Sequence, residues 1–389
     1  MPFEPTGPTG SARFWPRSRT ISAVGAVFLL LLGHVCHGQM LVETCEELQE
    51  AFALAATEDL EIMIDPFQTI SCDTFTTMSM TGLTLQVFSS DFSATNEGTP
   101  GGVRLDNIRF EVTDGAKLFW FPSVTFIGTD DQDVNGGALF VGDGSTIIFE
   151  NDLSTENVGV ASVTAENMDF AGYTLSGGCV YTDGYLVVKG DALFEDCENS
   201  GGGESSAGPG GAVYVGETGS VLFEGTVTMR DVSIIDNDGD DGAGFHNRGK
   251  VNIKGNALFE RLTAEFGGAI FNTEGAEFRF KRGATAVFID CRAQDGIGGA
   301  VYNAGYLKFS GPSLVLNSRA PTFVVTGTGY TRLSEGSVFW GGVATSGNVA
   351  VDVLVEDGGR LTGAGKVSFV NGPDSACPTV FYEDGSTCL

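Results

Sequence analysis

A short glycine-led element recurs through the middle of this chain and restricts it to a repetitive fold. Each of its six copies has three small residues, then an apolar residue, then an aromatic residue or histidine. The copies are GGALF at 136–140, GGCVY at 177–181, GGAVY at 210–214, GAGFH at 242–246, GGAIF at 267–271 and GGAVY at 298–302. Their starts lie 41, 33, 32, 25 and 31 residues apart. Repeats of this length are typical of solenoids, in which each repeat forms one coil and contacts its neighbours.

The repeat at 267–297 shows the strand pattern. Its three runs, GGAIFNTEG, AEFRFKRG and ATAVFIDCRAQDGI, are rich in β-branched and aromatic residues and are bounded by Gly, Asn and Asp. In the second run Phe278 and Phe280 face one way and Arg279 faces the other, which is the period of a strand with one buried face. We therefore predict an all-β fold, a right-handed single-stranded parallel β-helix (solenoid) whose equivalent strands pair at about 4.8 Å.

A second recurring element, centred on phenylalanine, follows most copies of the first. The chain has 56 glycines, 29 phenylalanines and 12 prolines in 389 residues, a composition that suits stacked strands and tight turns rather than disorder. We predict that the rings of this element form one interior column: Phe149, Phe194, Phe223, Phe259 and Phe288.

The two ends of the chain differ from the repeats. Thr44-Cys-Glu-Glu47 is a capping-box pattern, which predicts a short N-terminal capping helix over the first coil. Residues 1–38 have the basic, apolar and small-residue regions of a signal peptide, with an uncleaved anchor as the alternative. We assign 39–371 to the β-helix domain and 372–389 to a C-terminal cap or tail. We predict no membrane span in the mature chain, which we expect to be secreted and extracellular or held at the cell surface.

The charge balance restricts the partners. The net charge is −29, and removal of 1–38 takes away three arginines and one glutamate, which leaves −31. Such a surface repels nucleic acid and anionic lipid, so we expect neither as a partner. It also repels polyuronates unless a divalent cation forms a bridge. The partners that we expect are a cell-wall or extracellular glycan or a surface protein.

The mature chain has seven cysteines, and an odd number leaves at least one thiol unpaired. Short separations predict one disulfide at each end, Cys45–Cys72 and Cys377–Cys388. Cys197 and Cys291 each follow a phenylalanine of the second element by three residues, so we predict that they share one inward column and stay reduced. Cys179 stands at the alanine of the first element, and we interpret it as a small buried thiol.

The two repeated elements resemble those of polymorphic outer membrane proteins, within the pectate-lyase-like right-handed β-helix superfamily. The resemblance covers roughly 41–371, is clearest over 136–303, and includes the entry CEELQEAFALAATEDLEIMID. It implies display at a cell surface and adhesion. The Phe-x-x-Asn motif of that family is altered here, because other residues occupy its fourth position: Asp152, Cys197, Thr226, Leu262 and Cys291.

Enzymes of the same fold are the main alternative. Hydrolases of that superfamily need a Gly-His-Gly motif, whereas His246, the mature chain's one histidine, lies in Phe-His-Asn. Since other repeats carry Phe or Tyr at this position, we predict a stacked, structural imidazole.

Lyases of that superfamily need Ca²⁺ held by carboxylates, with an Arg or Lys base. Asp236, Asp238 and Asp240 place oxygens at alternate positions, near Arg248 and Lys250. This run is either a loose Ca²⁺ site or a solvated acidic turn.

We therefore expect a non-enzymatic β-solenoid that acts in cell-surface or wall structure, adhesion or glycan contact, requires no cofactor and has Ca²⁺ as its one candidate ion. The alternative is a carbohydrate-active enzyme: a polysaccharide lyase, a glycoside hydrolase or a uronate epimerase. An exposed groove in which Asp, Arg and Lys from successive coils converge would favour the enzyme.

Overall fold

A computed structural model describes most of the chain after the predicted signal segment. Its described residues belong to one compact unit that runs from Met40 to Leu389. They are 40–65, 68–89, 102–127, 137–150, 163–166, 168–171, 178–200, 209–234, 241–294, 297–318, 321–340, 352–363, 368–370 and 380–382. In these ranges the chain forms one helix and long sheets of parallel strands. The predicted all-β parallel solenoid with an N-terminal helix is confirmed.

The helix, α1 (Cys45–Ala55), begins at the predicted capping box. The Thr44 hydroxyl accepts from the Glu47 amide over 3.2 Å, and the Glu47 carboxylate accepts from the Thr44 amide over 3.1 Å. Two of the amides left open at a helix start are thus satisfied. The buried side of α1 includes Phe52, whose ring stacks on Phe110 of an early strand at 5.0 Å. The side chains of Phe52 and Phe110 are both fully buried, so α1 covers the first coils.

Each coil contributes strands to three faces. The strands that follow the glycine-led element form face A: Leu139–Val141, Val180–Thr182, Val213–Val215, Phe245–Asn247, Ile270–Asn272, Val301–Asn303, Phe323–Val325, Val353–Val355 and Val380–Tyr382.

The next strand of each coil belongs to a separate sheet, face B. Its 12 strands are Met40–Val42, Leu60–Ile64, Thr84–Ser89, Lys117–Trp120, Thr146–Phe149, Tyr185–Val188, Ser220–Phe223, Lys250–Ile253, Glu277–Phe280, Tyr306–Phe309, Tyr330–Arg332 and Arg360–Thr362.

The third strand of each coil lies on face C. Its members are Val124–Ile127, Val163–Glu166, Ala192–Glu195, Val227–Arg230, Ala257–Glu260, Ala286–Ile289, Ser313–Leu316, Val338–Trp340 and Ser368–Val370. Two long strands, Thr69–Thr81 and Val103–Thr113, run through faces A and C and join them in one 20-stranded sheet. A fourth, short ladder closes the middle coils and was not predicted: Met168–Ala171, Cys197–Ser200, Ser233–Ile234, Thr263–Ala264 and Arg292–Ala293.

The phenylalanine element corresponds to two faces, so the prediction of a single column is wrong. Phe149 and Phe223 end strands of face B, whereas Phe194, Phe259 and Phe288 lie on face C. Strands of both faces end in an inward phenylalanine followed by an outward residue, and the coils differ in length, so the local motif alone cannot distinguish the faces. All five rings are buried.

In five coils whose corner after face C is described, that corner contains a residue in the left-handed region, with φ between 52° and 55°. These are Asp196, Asp231, Arg261, Asp290 and Asn317. The residue after each one points inward and is fully buried, which gives the column Cys197, Val232, Leu262, Cys291 and Ser318. Cys197 and Cys291 therefore share a column, as predicted, with Val232 and Leu262 between them.

The disulfides differ in part from the prediction. Cys45 bonds Cys72, the predicted pair, with a Cα–Cα distance of 5.4 Å. The prediction that Cys197 stays reduced is wrong, because it bonds Cys179 with a Cα–Cα distance of 5.9 Å. Both belong to one coil, in which the start of face A packs against the corner after face C, so a cysteine in each position brings the two sulfurs together. Cys291 is free and buried, while Cys377 and Cys388 lie outside the described residues.

Candidate functional site

The residues that the sequence singled out for catalysis or metal binding do not form a site in the described ranges. Asp236, Asp238 and Asp240 lie outside the described residues. Arg248 is exposed, forms an ion pair with Glu217 and donates to the Tyr214 hydroxyl over 3.4 Å. Within the described ranges, no group of three or more His, Cys, Asp or Glu side chains is arranged to hold a metal ion.

His246 lies in a stack of aromatic rings on the outer side of face A. Its imidazole stacks on Tyr214 at 5.2 Å and on Phe271 at 5.1 Å, so the predicted structural role is confirmed. Burial lowers the pKa of His246 to about 4, a hydrogen bond with the Asp241 backbone opposes this shift, and nearby Arg248 adds to it. The ring is therefore neutral at pH 7. The stack continues through six coils: Phe140, Tyr181, Tyr214, His246, Phe271 and Tyr302.

A cleft of about 600 Å³ opens where the last described strands of face B turn towards face C. It is bounded by four successive coils: the turn after Glu277–Phe280, the strands Tyr306–Phe309 and Tyr330–Arg332, and the end of Arg360–Thr362. Its polar lining includes Arg282, Lys308, Tyr330, Arg332, Glu335 and Thr362.

The alternation of face B directs the cations outward into this cleft. In the strands concerned, Phe278, Phe280 and Leu307 are buried, and the residues between them point away from the core. The register places Arg279 beside Lys308 and Lys308 beside Arg332. Because parallel neighbours are about 4.8 Å apart, the solenoid holds these three cations in one column.

A second column supplies aromatic rings. Tyr306 stacks on Tyr330 with centroids 5.4 Å apart, and the Arg279 guanidinium lies 5.2 Å from the Tyr306 ring. The Tyr330 hydroxyl and the Thr362 hydroxyl are 2.9 Å apart and share a hydrogen bond. The cleft thus combines ring faces, hydroxyl groups and positive charges.

The cations of this region differ in whether a carboxylate neutralises them. Lys254 pairs with Glu224, and Arg279 pairs with Glu277. Four other cations, Lys281, Arg282, Lys308 and Arg332, form no salt bridge with a carboxylate of the described residues. Burial lowers the pKa of Lys281, and the neighbouring charges of Arg279, Lys308 and Lys254 lower it further. The group is therefore crowded by like charges.

Sequence reasoning missed this cluster because it treated one repeat at a time. The alternation within one strand shows that Arg279 faces outward, but its cationic neighbours come from the next two coils. The signal is in the sequence: when the face B strands are aligned, Lys308 and Arg332 occupy the position of Arg279. In earlier coils that outward position is apolar or uncharged: Phe119, Ile148, Val187, Leu222 and Asn252.

No family model, curated protein or solved structure matches this chain. The described residues contain no helix with the length and hydropathy of a bilayer-spanning segment.

Proposed function

We propose that this chain is a secreted, non-enzymatic β-solenoid of a cell surface or wall, which contacts extracellular glycan through the cleft on face B. The cleft carries the proposal: rings, hydroxyls and charged groups from successive coils are the groups that bind sugars. The rigid stack of strands fixes their spacing, so little ordering is needed when a glycan binds.

Other features support this role. The right-handed superfamily and the polymorphic outer membrane protein repeats, inferred from the glycine-led and phenylalanine elements, imply adhesion at a cell surface. Two disulfides are present in the described residues, and disulfides persist mainly in oxidising compartments such as the cell exterior.

An enzyme of the same fold is the second candidate, and one observation favours it. Arg282, Lys308 and Arg332 converge in the cleft from successive coils, which is part of the pattern expected of a catalytic groove. Glu335 is the one carboxylate among the described lining residues. The form of this candidate that uses the lining cations is a lyase with a Lys or Arg base.

The test uses the mature chain, residues 39–389, with a panel of neutral and acidic polysaccharides. Binding is measured by affinity electrophoresis, and product is measured in the same samples as new reducing ends and as absorbance of unsaturated sugars. We expect retardation by at least one glycan without product. Formation of product from any glycan would support the enzyme instead. If no glycan of the panel retarded the protein, both candidates would be contradicted.

A further inference from the structure

We propose that the cleft on face B is a binding site for a linear acidic glycan, held by its lining cations Arg282, Lys308 and Arg332, which form no salt bridge with a described carboxylate. This inference rests on the proposed function and deepens it, because it names the charge class of the glycan. The shared ligand chemistry is a sugar chain with carboxylate or sulfate groups along its length.

The first argument is that these basic residues lie together in a chain that is strongly acidic. Acidic residues outnumber basic ones by 50 to 21, yet three cations line one cleft with no salt bridge to a described carboxylate. Cations on adjacent strands repel one another. In so acidic a chain, nearby carboxylates could have neutralised them at little cost. Binding of an anionic ligand would remove this repulsion.

The second argument is the geometry of the cations. Lys308 and Arg332 are register neighbours on adjacent strands, and Arg282 reaches the same cleft from the turn of the preceding coil. Three adjacent coils therefore present positive groups to the cleft, and the sheet sets a spacing of about 4.8 Å between the strands that carry Lys308 and Arg332. A row of this kind complements a chain whose anionic groups repeat, better than it complements a single small anion.

The third argument selects a glycan among polyanions. Tyr330 offers a ring face, and Ser310, Ser334 and Thr362 offer hydroxyl groups beside the cations. Arg and Lys bind carboxylate and sulfate oxygens by charge-assisted hydrogen bonds, while the ring and hydroxyls suit the faces and edges of sugar rings.

The test compares the mature wild type with Lys308→Gln/Arg332→Gln. The matched control, Lys117→Gln/Arg292→Gln, removes the same charge at exposed positions outside the cleft. Four probes are used in affinity electrophoresis at low and at physiological salt: polygalacturonate, dextran sulfate, neutral dextran and single-stranded DNA. Dextran serves as the uncharged backbone of the sulfated probe.

We expect polygalacturonate or dextran sulfate to bind the wild type, with binding weakened by salt and reduced about tenfold in the cleft variant but not in the control. Retardation by polygalacturonate identifies carboxylate as the anion, and retardation by dextran sulfate alone identifies sulfate. The cleft variant should keep its melting temperature, because it loses repulsion and no salt bridge. A salt titration of the wild type tests the same charge dependence without any substitution.

Three results would overturn the inference. Equal binding of dextran and the acidic probes, unchanged in the cleft variant, would leave glycan contact standing and refute its acidic class. Binding of DNA as tight as that of the acidic glycans would show a site for polyanions in general. Retardation by none of the probes, together with none by any glycan of the wider panel, would refute the proposed function as well.

Discussion

Asn272 and Asn303 are joined through their side chains inside the solenoid, where Nδ2 of Asn272 donates to Oδ1 of Asn303 over 2.7 Å. The chain of bonds extends in both directions. Asn247 donates to Oδ1 of Asn272 over 2.7 Å, and Asn303 donates to the Thr331 hydroxyl over 2.9 Å. All four side chains are fully buried at the corner between faces A and B. This ladder satisfies polar groups that would otherwise be costly to bury.

Replacing Asn272 by Ala should therefore destabilise the solenoid. The change removes the middle of the ladder and leaves a donor of Asn247 and an acceptor of Asn303 with fewer partners, at a cost of about 2 kcal/mol. Urea unfolding followed by circular dichroism measures the effect. The matched control is Asn252→Ala, on the outer side of face B, whose midpoint should stay close to that of the wild type. Equal midpoints for the two variants would show that the ladder contributes little.

The sequence predicts the elements of this fold that depend on local contacts. Glu47 and Thr44 lie within one helical turn, and the alternation around Phe278 is complete within one strand, so both are visible in a short window. Contacts between coils depend instead on how many residues each corner contains. That number varies among repeats, which is why Phe149 and Phe194 look alike in sequence and lie on different faces.

The cleft and the second disulfide were missed for the same reason. Lys308 and Arg332 are 24 positions apart in the sequence, and only the register of face B makes them neighbours. Cys179 and Cys197 look like members of two separate columns until the coil is closed by the short ladder, which no sequence pattern predicted. In each case the missing information is the three-dimensional closure of a coil rather than the character of a residue.

The Cys179–Cys197 disulfide should stabilise the chain measurably. Cys179→Ala restores the residue that most other repeats carry, so packing changes little, but it removes a crosslink across 18 residues, with an expected cost of about 3 kcal/mol. Thermal unfolding without reductant measures the loss. The matched control, Cys291→Ala, removes a buried thiol that forms no crosslink and should cost about 1 kcal/mol. Similar losses in the two variants would contradict a native Cys179–Cys197 bond.

The equivalence of the coils allows a new disulfide to be predicted. Ala269 holds the position in its repeat that Cys179 holds in its own, the third of the glycine-led element. Cys291 holds the position of Cys197, because both cysteines follow a left-handed corner residue, Asp290 and Asp196. Ala269→Cys should therefore bond Cys291 under oxidising conditions. Peptide mapping without reduction detects the crosslink, and Ala300→Cys, one coil further along, is the control that should leave Cys291 free. A free Cys291 in both variants would show that the two coils close differently.

His246 should make the stability of the chain fall in mild acid. Its pKa is about 4 in the folded chain against an ordinary 6.5, so the unfolded chain takes up the proton first. The contribution of the neutral ring is complete above pH 6.5 and decreases as the pH falls towards 4, by at most about 3 kcal/mol. His246→Phe, which matches Phe271 in the stack, should remove this dependence.

The measurement is the melting temperature of the wild type and of His246→Phe at pH 7.5 and at pH 4.5. The carboxylates of the chain also titrate in this range, but both proteins share them, so the difference between the two curves isolates the imidazole. We expect the melting temperature of the variant to equal or exceed that of the wild type at pH 7.5. At pH 4.5 the variant should melt several degrees above the wild type, because its phenylalanine has no proton to take up on unfolding. Parallel curves would mean that His246 takes up its proton near the ordinary pKa and that burial does not hold it neutral.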